Sequence, residues 1–116
     1  MKDNYSTPKW ILKLFEDFYD PCPLNTNPKI NGLEEVWKDK TYVNPPYSDP
    51  TKWIDKAIEE NKKGKTIVML LKVDPSTKWY RRIIEGDGEI LFFNRRIKFN
   101  GRTPWFSSMM VIFKGR

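Results

Sequence analysis

The sequence predicts an α/β domain whose sheet is mostly parallel with an antiparallel end. Three observations support this. Thr66-Ile67-Val68-Met69-Leu70-Leu71 is the most continuous apolar run in the chain, and such a run suits a strand covered on both faces. Thr41-Tyr42-Val43 reads as a shorter strand ahead of it with a helix between them. Strand, helix, strand within about thirty residues is a βαβ unit with a right-handed crossover. Residues 89–93, 97–99 and 108–113 also read as strand, and the short link through Gly101-Arg102-Thr103-Pro104 predicts a closing hairpin. A chain of 116 residues accommodates one such domain, residues 1–116, and not two.

Each element has a local cause. Ser6-Thr7-Pro8 predicts a helix start, with a hydroxyl N-cap and proline in the first turn. Trp10, Ile11, Leu14, Phe15 and Phe18 follow at helical spacing. Pro21 and Pro23 end that pattern, because each removes a backbone donor. Residues 25–31 read as a loop and 33–37 as one helical turn. Ser48-Asp49-Pro50 starts the second helix, with Trp53, Ile54, Ala57 and Ile58 as its apolar face and Gly64 just past its end. Asp74-Pro75-Ser76-Thr77 caps a third, whose apolar positions are Trp79, Tyr80, Ile83 and Ile84, and Gly86-Asp87-Gly88 is a turn.

Composition narrows the chemistry. The chain has no histidine, which removes Ser-His-Asp and Cys-His nucleophilic centres and argues against a zinc site. Its one cysteine, Cys22, allows no internal disulfide and is most simply a small buried residue. No apolar run approaches a membrane span, and the first residues carry no signal-like segment, so an intracellular compartment is expected. The net charge of +6 suits a polyanionic partner, or a solvated surface with lysine in excess.

Asn44-Pro45-Pro46-Tyr47 is the sharpest motif. It follows a strand and precedes a helix, and ligands of open α/β sheets bind outside the carboxyl ends of strands. Consecutive prolines remove donors and stiffen the chain, leaving carbonyls as fixed acceptors. Two acceptors beside a flat tyrosine suit a planar group bearing an amino substituent.

With these residues the chain resembles the phage-type, Dam-like DNA N-6-adenine methyltransferases. The resemblance is carried by Asn44-Pro45-Pro46-Tyr47 together with Ser6-Thr7-Pro8, Asp20-Pro21-Cys22, Gly32-Leu33 and Trp37, Trp53, Leu70-Leu71, Thr77-Lys78-Trp79 and Arg96-Ile97-Lys98-Phe99. It implies methyl transfer from S-adenosylmethionine to the amino group of a flipped-out adenine. Asn44 and the Pro45 carbonyl would accept the amino hydrogens, Pro46 would stiffen the loop, and Tyr47 would stack on the base. Thr7, Pro8, Asp20 and Asn44 would contact the cofactor; no metal is needed. The chain departs from the family at Asp20-Pro21-Cys22-Pro23, which has no glycine, and at Asn31-Gly32-Leu33, which stands where Asp-Gly-Leu is usual. Only about two dozen residues separate Asp20 from Asn44. The expected fold is therefore a minimal methyltransferase (Rossmann-like) sheet lacking some cofactor-side strands.

Basic residues interleaved with aromatics make Lys78, Arg81, Arg82, Arg95 and Arg102 candidates for phosphate contact. DNA is the expected partner, in the cytoplasm of a bacterial or phage-infected cell, with homo-oligomerisation left open. The alternatives are another amino target (cytosine, an RNA base or a protein glutamine) and a basic DNA-binding module that keeps the fold without turnover.

Overall fold

The structure, a computed structural model, describes residues 6–22, 31–47 and 49–116. Its elements in chain order are α1 (Lys9–Leu14), β1 (Lys40–Val43), α2 (Thr51–Lys62), β2 (Thr66–Lys72), α3 (Lys78–Glu85), β3 (Glu89–Phe92) and β4 (Ser108–Phe113). The strands form one sheet in the order β1-β2-β4-β3. β1 and β2 are parallel, while β4 runs antiparallel to both β2 and β3.

The sheet is mixed, and this corrects the expected layout. β1, β2 and β3 share one direction, yet the reversed strand lies inside the sheet and not at its end. Burial explains the order. All of β4 except Ile112 is buried, so it takes an inner position, whereas β3 is mostly exposed and takes the edge. The link between them is residues 93–107, not a short hairpin turn. Within it a tight turn at Asn100 and Gly101, with φ of 54° and 74°, pairs Phe99 with Arg102. That turn comes one residue earlier than the sequence suggested, and residues 97–99 form no strand beyond this bridge.

Beside β1, Tyr19 makes a single parallel bridge to Thr41: its amide donates to the Lys40 carbonyl at 2.9 Å, and its carbonyl accepts from the Tyr42 amide at 2.8 Å. Asp20 thereby stands next to the carboxyl end of β1. No further strand lies on that side among the described residues.

Strand periodicity divides the core into two layers. Val43, Ile67, Met69, Leu71, Met109, Val111 and Phe113 face α2 and α3, packing on Ile54, Ala57, Trp79 and Ile83. Tyr42, Val68, Leu70 and Met110 face the other way, toward Ile11 of α1 and Ile97, Phe99 and Phe106 of the 93–107 link. β2 is buried on both faces, as its apolar run predicts.

The caps divide similarly. Thr77 accepts the Tyr80 amide at 3.3 Å and caps α3, and Gly64, at φ 97°, ends α2 in the left-handed conformation. Of the expected cap on α2, Ser48 lies outside the described residues; Asp49 accepts the Thr51 amide at 3.2 Å. At α1 the expected hydroxyl cap is absent: Pro8 holds the N-cap position without a side-chain bond. α1 is short, and Trp10 and Leu14 are exposed while Phe15 and Phe18 lie beyond it, half-buried. The Thr7 hydroxyl is used elsewhere.

Candidate active site

Thr7 joins two side chains of the β1 carboxyl end. Its Oγ1 lies 3.1 Å from the Tyr42 hydroxyl and accepts Nδ2 of Asn44 at 3.1 Å. Tyr42 and Asn44 are two residues apart, so the pleat turns both to the same face. The bond to Thr7 sets the Asn44 amide with its nitrogen toward α1, which leaves Oδ1 as the acceptor end of the side chain. Pro45 is buried and Pro46 half-buried. Neither has an N–H, so this backbone presents carbonyls.

Asp20 completes the cluster. Its Oδ1 accepts the Cys22 amide at 2.9 Å. Burial raises its carboxyl above the ordinary range, and that amide opposes the rise. Burial likewise pushes the Tyr42 phenol far up, with the Thr7 hydrogen bond working against it and the Asp20 charge adding to it. Tyr42 therefore stays a neutral hydroxyl bonded to Thr7, within the electrostatic reach of Asp20. Cys22 is pushed to about 11 by burial and then by Asp20, which leaves it a thiol at neutral pH and no nucleophile.

Gly32 packs directly on this segment. A Cβ there would stand 2.0 Å from the Pro21 carbonyl oxygen, and the Gly32 carbonyl accepts Nε1 of buried Trp37 at 2.8 Å. Asn31 turns inward on its own loop, accepting the Leu33 amide at 2.9 Å.

The structure therefore brings together Thr7, Asp20 and Asn44, with Pro8 adjoining. A partly buried carboxyl whose described hydrogen bond is one backbone amide suits a positively charged neighbour, so these residues fit a sulfonium- or ammonium-bearing cofactor. Tyr42 belongs to the same cluster, and sequence reading missed it; the signal was its two-residue spacing from Asn44.

Tyr47 differs from expectation. Its ring is buried at 6% exposure, edge-on to Phe99 (centroids 6.0 Å, 89°) and Phe106 (5.2 Å, 65°). It presents no open stacking face in this conformation. Both partners belong to the 93–107 link.

The basic candidates split. Lys78, Arg81 and Arg82 are exposed on α3, and Arg82 pairs with Asp55 of α2 at 3.2 Å. Arg95 and Arg102 are exposed on the 93–107 link. Because α3 packs on one face of the sheet and this link on the other, the two groups do not form one patch. Beside the second group, Trp105 is 74% exposed, with Lys72 Nζ 5.3 Å from its ring centroid. No helix among the described residues is long and apolar enough to cross a membrane.

An α/β sheet with its polar cluster at the strands' carboxyl ends belongs to the open-sheet, ligand-binding class. Comparison with known proteins narrows this. The family described as DNA N-6-adenine-methyltransferase (Dam) matches residues 1–110. The DNA N-6-adenine-methyltransferase of Haemophilus phage HP1 (strain HP1c1) is 34% identical over 115 residues, covering 84% of this chain and 66% of that protein. That of Escherichia phage T1 is 30% identical over 107 residues, covering 79% and 45%. No solved structure matches. The chain belongs to the DNA N-6-adenine-methyltransferase (Dam) family, and it spans just under two thirds of the first relative and less than half of the second.

Proposed function

We propose that this chain methylates the N6 amino group of adenine in DNA, using S-adenosylmethionine, on a minimal methyltransferase-like sheet. The supporting observation is the Asn44 amide, held by Thr7 at the carboxyl end of β1 with its acceptor oxygen ahead of two prolines. Asn44 Oδ1 and the Pro45 carbonyl accept the two amino hydrogens of the flipped adenine. This turns the nitrogen lone pair out of the ring plane, where it would be placed to take the methyl group from a sulfonium donor, the S–C bond breaking as the N–C bond forms. The departing amino proton leaves along the hydrogen bond to Asn44 or Pro45, toward solvent. When bound, S-adenosylmethionine supplies the methyl group on an already electrophilic sulfonium. Asp20 would place a negative charge beside the donor, and Thr7 and Pro8 would form the adjoining wall. Positioning then accounts for much of the rate. Tyr47 stacks on the base once the 93–107 link withdraws Phe99 and Phe106 from its ring. A DNA substrate implies the cytoplasm of a bacterial or phage-infected cell as the working compartment.

The test is methyl transfer from labelled S-adenosylmethionine to unmethylated DNA, with Asn44→Ala alongside. Label on adenine that disappears in the variant supports reaction and site together. Transfer undiminished in the variant refutes the site. Salt-dependent DNA binding without cofactor binding or transfer refutes the reaction and leaves a DNA-binding module.

A further inference from the structure

α1 and the 93–107 link enclose a groove of about 480 Å³. Its apolar wall is Trp10 standing edge-on to Phe93, with centroids 6.1 Å apart at 83°. Trp10 keeps 54% of its surface exposed. Arg95, Arg96 and Lys98 also line the groove, and among the described residues no acidic side chain does. None of the three cations forms an ion pair among the described residues. Pro8 lines the side next to the candidate site, since the preceding Thr7 holds Asn44.

We propose that this groove holds a nucleotide neighbouring the target adenine, unstacked from its strand, with its base on Trp10 and its phosphates among Arg95, Arg96 and Lys98. The proposal rests on the DNA-methylating reading above and specifies how that site engages the strand. Charge complementarity selects the occupant: three cations with no ion-pair partner among the described residues, around an open indole, match a polyanion that carries a flat base. The volume suits one nucleotide and excludes a duplex. A paired, stacked base offers no face to an indole, so the groove favours a single or locally opened strand. Stacking tolerates any base, so the groove contributes affinity and strand geometry without reading sequence.

The test is fluorescence anisotropy with labelled single-stranded oligonucleotides containing a target adenine, intact or with an abasic residue at either flank. Wild type is compared with Trp10→Ala, Trp10→Phe and the Arg95→Ala, Arg96→Ala pair, and methyl transfer is assayed in parallel. An abasic residue at one flank is expected to weaken wild-type binding about tenfold and to leave Trp10→Ala unaffected. Trp10→Phe should retain the coupling. Losing both arginines should lower the slope of log K against log salt by about 1.4. Unchanged affinity in Trp10→Ala, abasic and Trp10 effects that simply add, or a Trp10→Ala variant altered only in oligomeric state by sedimentation would each overturn the groove assignment. Coupled binding with no transfer upholds the groove and overturns the methylation reading alone. No DNA binding by the wild type overturns both.

Discussion

Glu60 is fully buried, and three lysines surround it. Lys63, just past α2, and Lys56, in its middle, lie 3.0 and 3.3 Å from its carboxylate. Lys65, on the turn into β2, bonds the same group and donates to the Trp37 carbonyl at 2.5 Å. Burial alone would raise the Glu60 carboxyl, but the hydrogen bonds from Lys65, Lys63 and Lys56 outweigh it and lower the value from 4.5 to about 2. A depression of this size corresponds to about 3 kcal/mol of stability. Because the folded value is depressed, that stability is fully present above the unfolded value and is lost as pH falls through the folded one. Glu60→Gln keeps the shape and removes the charge, leaving three ammonium groups crowded around a neutral amide. For 116 residues an unfolding entropy of roughly 0.24 kcal/mol/K makes about 3 kcal/mol equivalent to about 12 °C in Tm at pH 7. Circular-dichroism melts at pH 7 and at steps down to pH 2 measure both quantities. Wild type and variant should converge as the pH drops below about 4.5. A pH 7 difference under about 2 °C, or curves that stay parallel into acid, would refute the reasoning.

Four further outcomes follow from the geometry. Thr7→Val takes the bridge from Asn44 and Tyr42; transfer should fall about 10- to 100-fold, with an unchanged circular-dichroism spectrum. Asp20→Asn should reduce cofactor affinity in calorimetry while leaving stability at pH 7 equal or higher. The Asp20 carboxyl is raised by burial, so its charged form weakens the fold increasingly as pH rises through the folded value. Gly32→Ala forces a methyl to within 2.0 Å of the Pro21 carbonyl oxygen, and denaturant titration should show a loss of about 3 kcal/mol. Cys22 alkylation by iodoacetamide should run about a hundredfold slower at pH 8 than for a free thiol and rise toward pH 11.

Local pattern made several elements legible. The run from Thr66 to Leu71 was readable because burial on both faces leaves no polar alternation, and Thr77 because a cap acts within four residues. The motif from Asn44 was readable because prolines dictate backbone chemistry wherever they stand. Non-local competition hid the rest. α1 lacks its expected hydroxyl cap because the Thr7 hydroxyl serves Asn44 and Tyr42, partners 37 and 35 residues away. Tyr47 lies in the core because the 93–107 link supplies Phe99 and Phe106, which no local window connects to it. Lys56 and Lys63 reach Glu60 from within its own helical neighbourhood, a local pairing. The third lysine, Lys65, returns across the turn, which makes the buried Glu60 a junction between α2 and β2. The arginines of α3 and of the 93–107 link look alike in sequence, and only the sheet between them sets them apart.

The inner placement of β4 also bears on how the chain assembles during synthesis. Among the described residues β3 pairs with β4 alone, and β2 has β4 on one side. While residues 108–113 are still inside the ribosome, β1 and β2 can pair, but β2 keeps an open edge and β3 has no neighbour. Ile67, Met69 and Leu71 then lack Phe113, Val111 and Met109 opposite them, and a strand edge left open this way recruits other chains. The sheet closes in one late step, when a single strand slots between two that have been waiting for it. Vectorial translation therefore exposes this sheet to misassembly until residues 108–113 emerge.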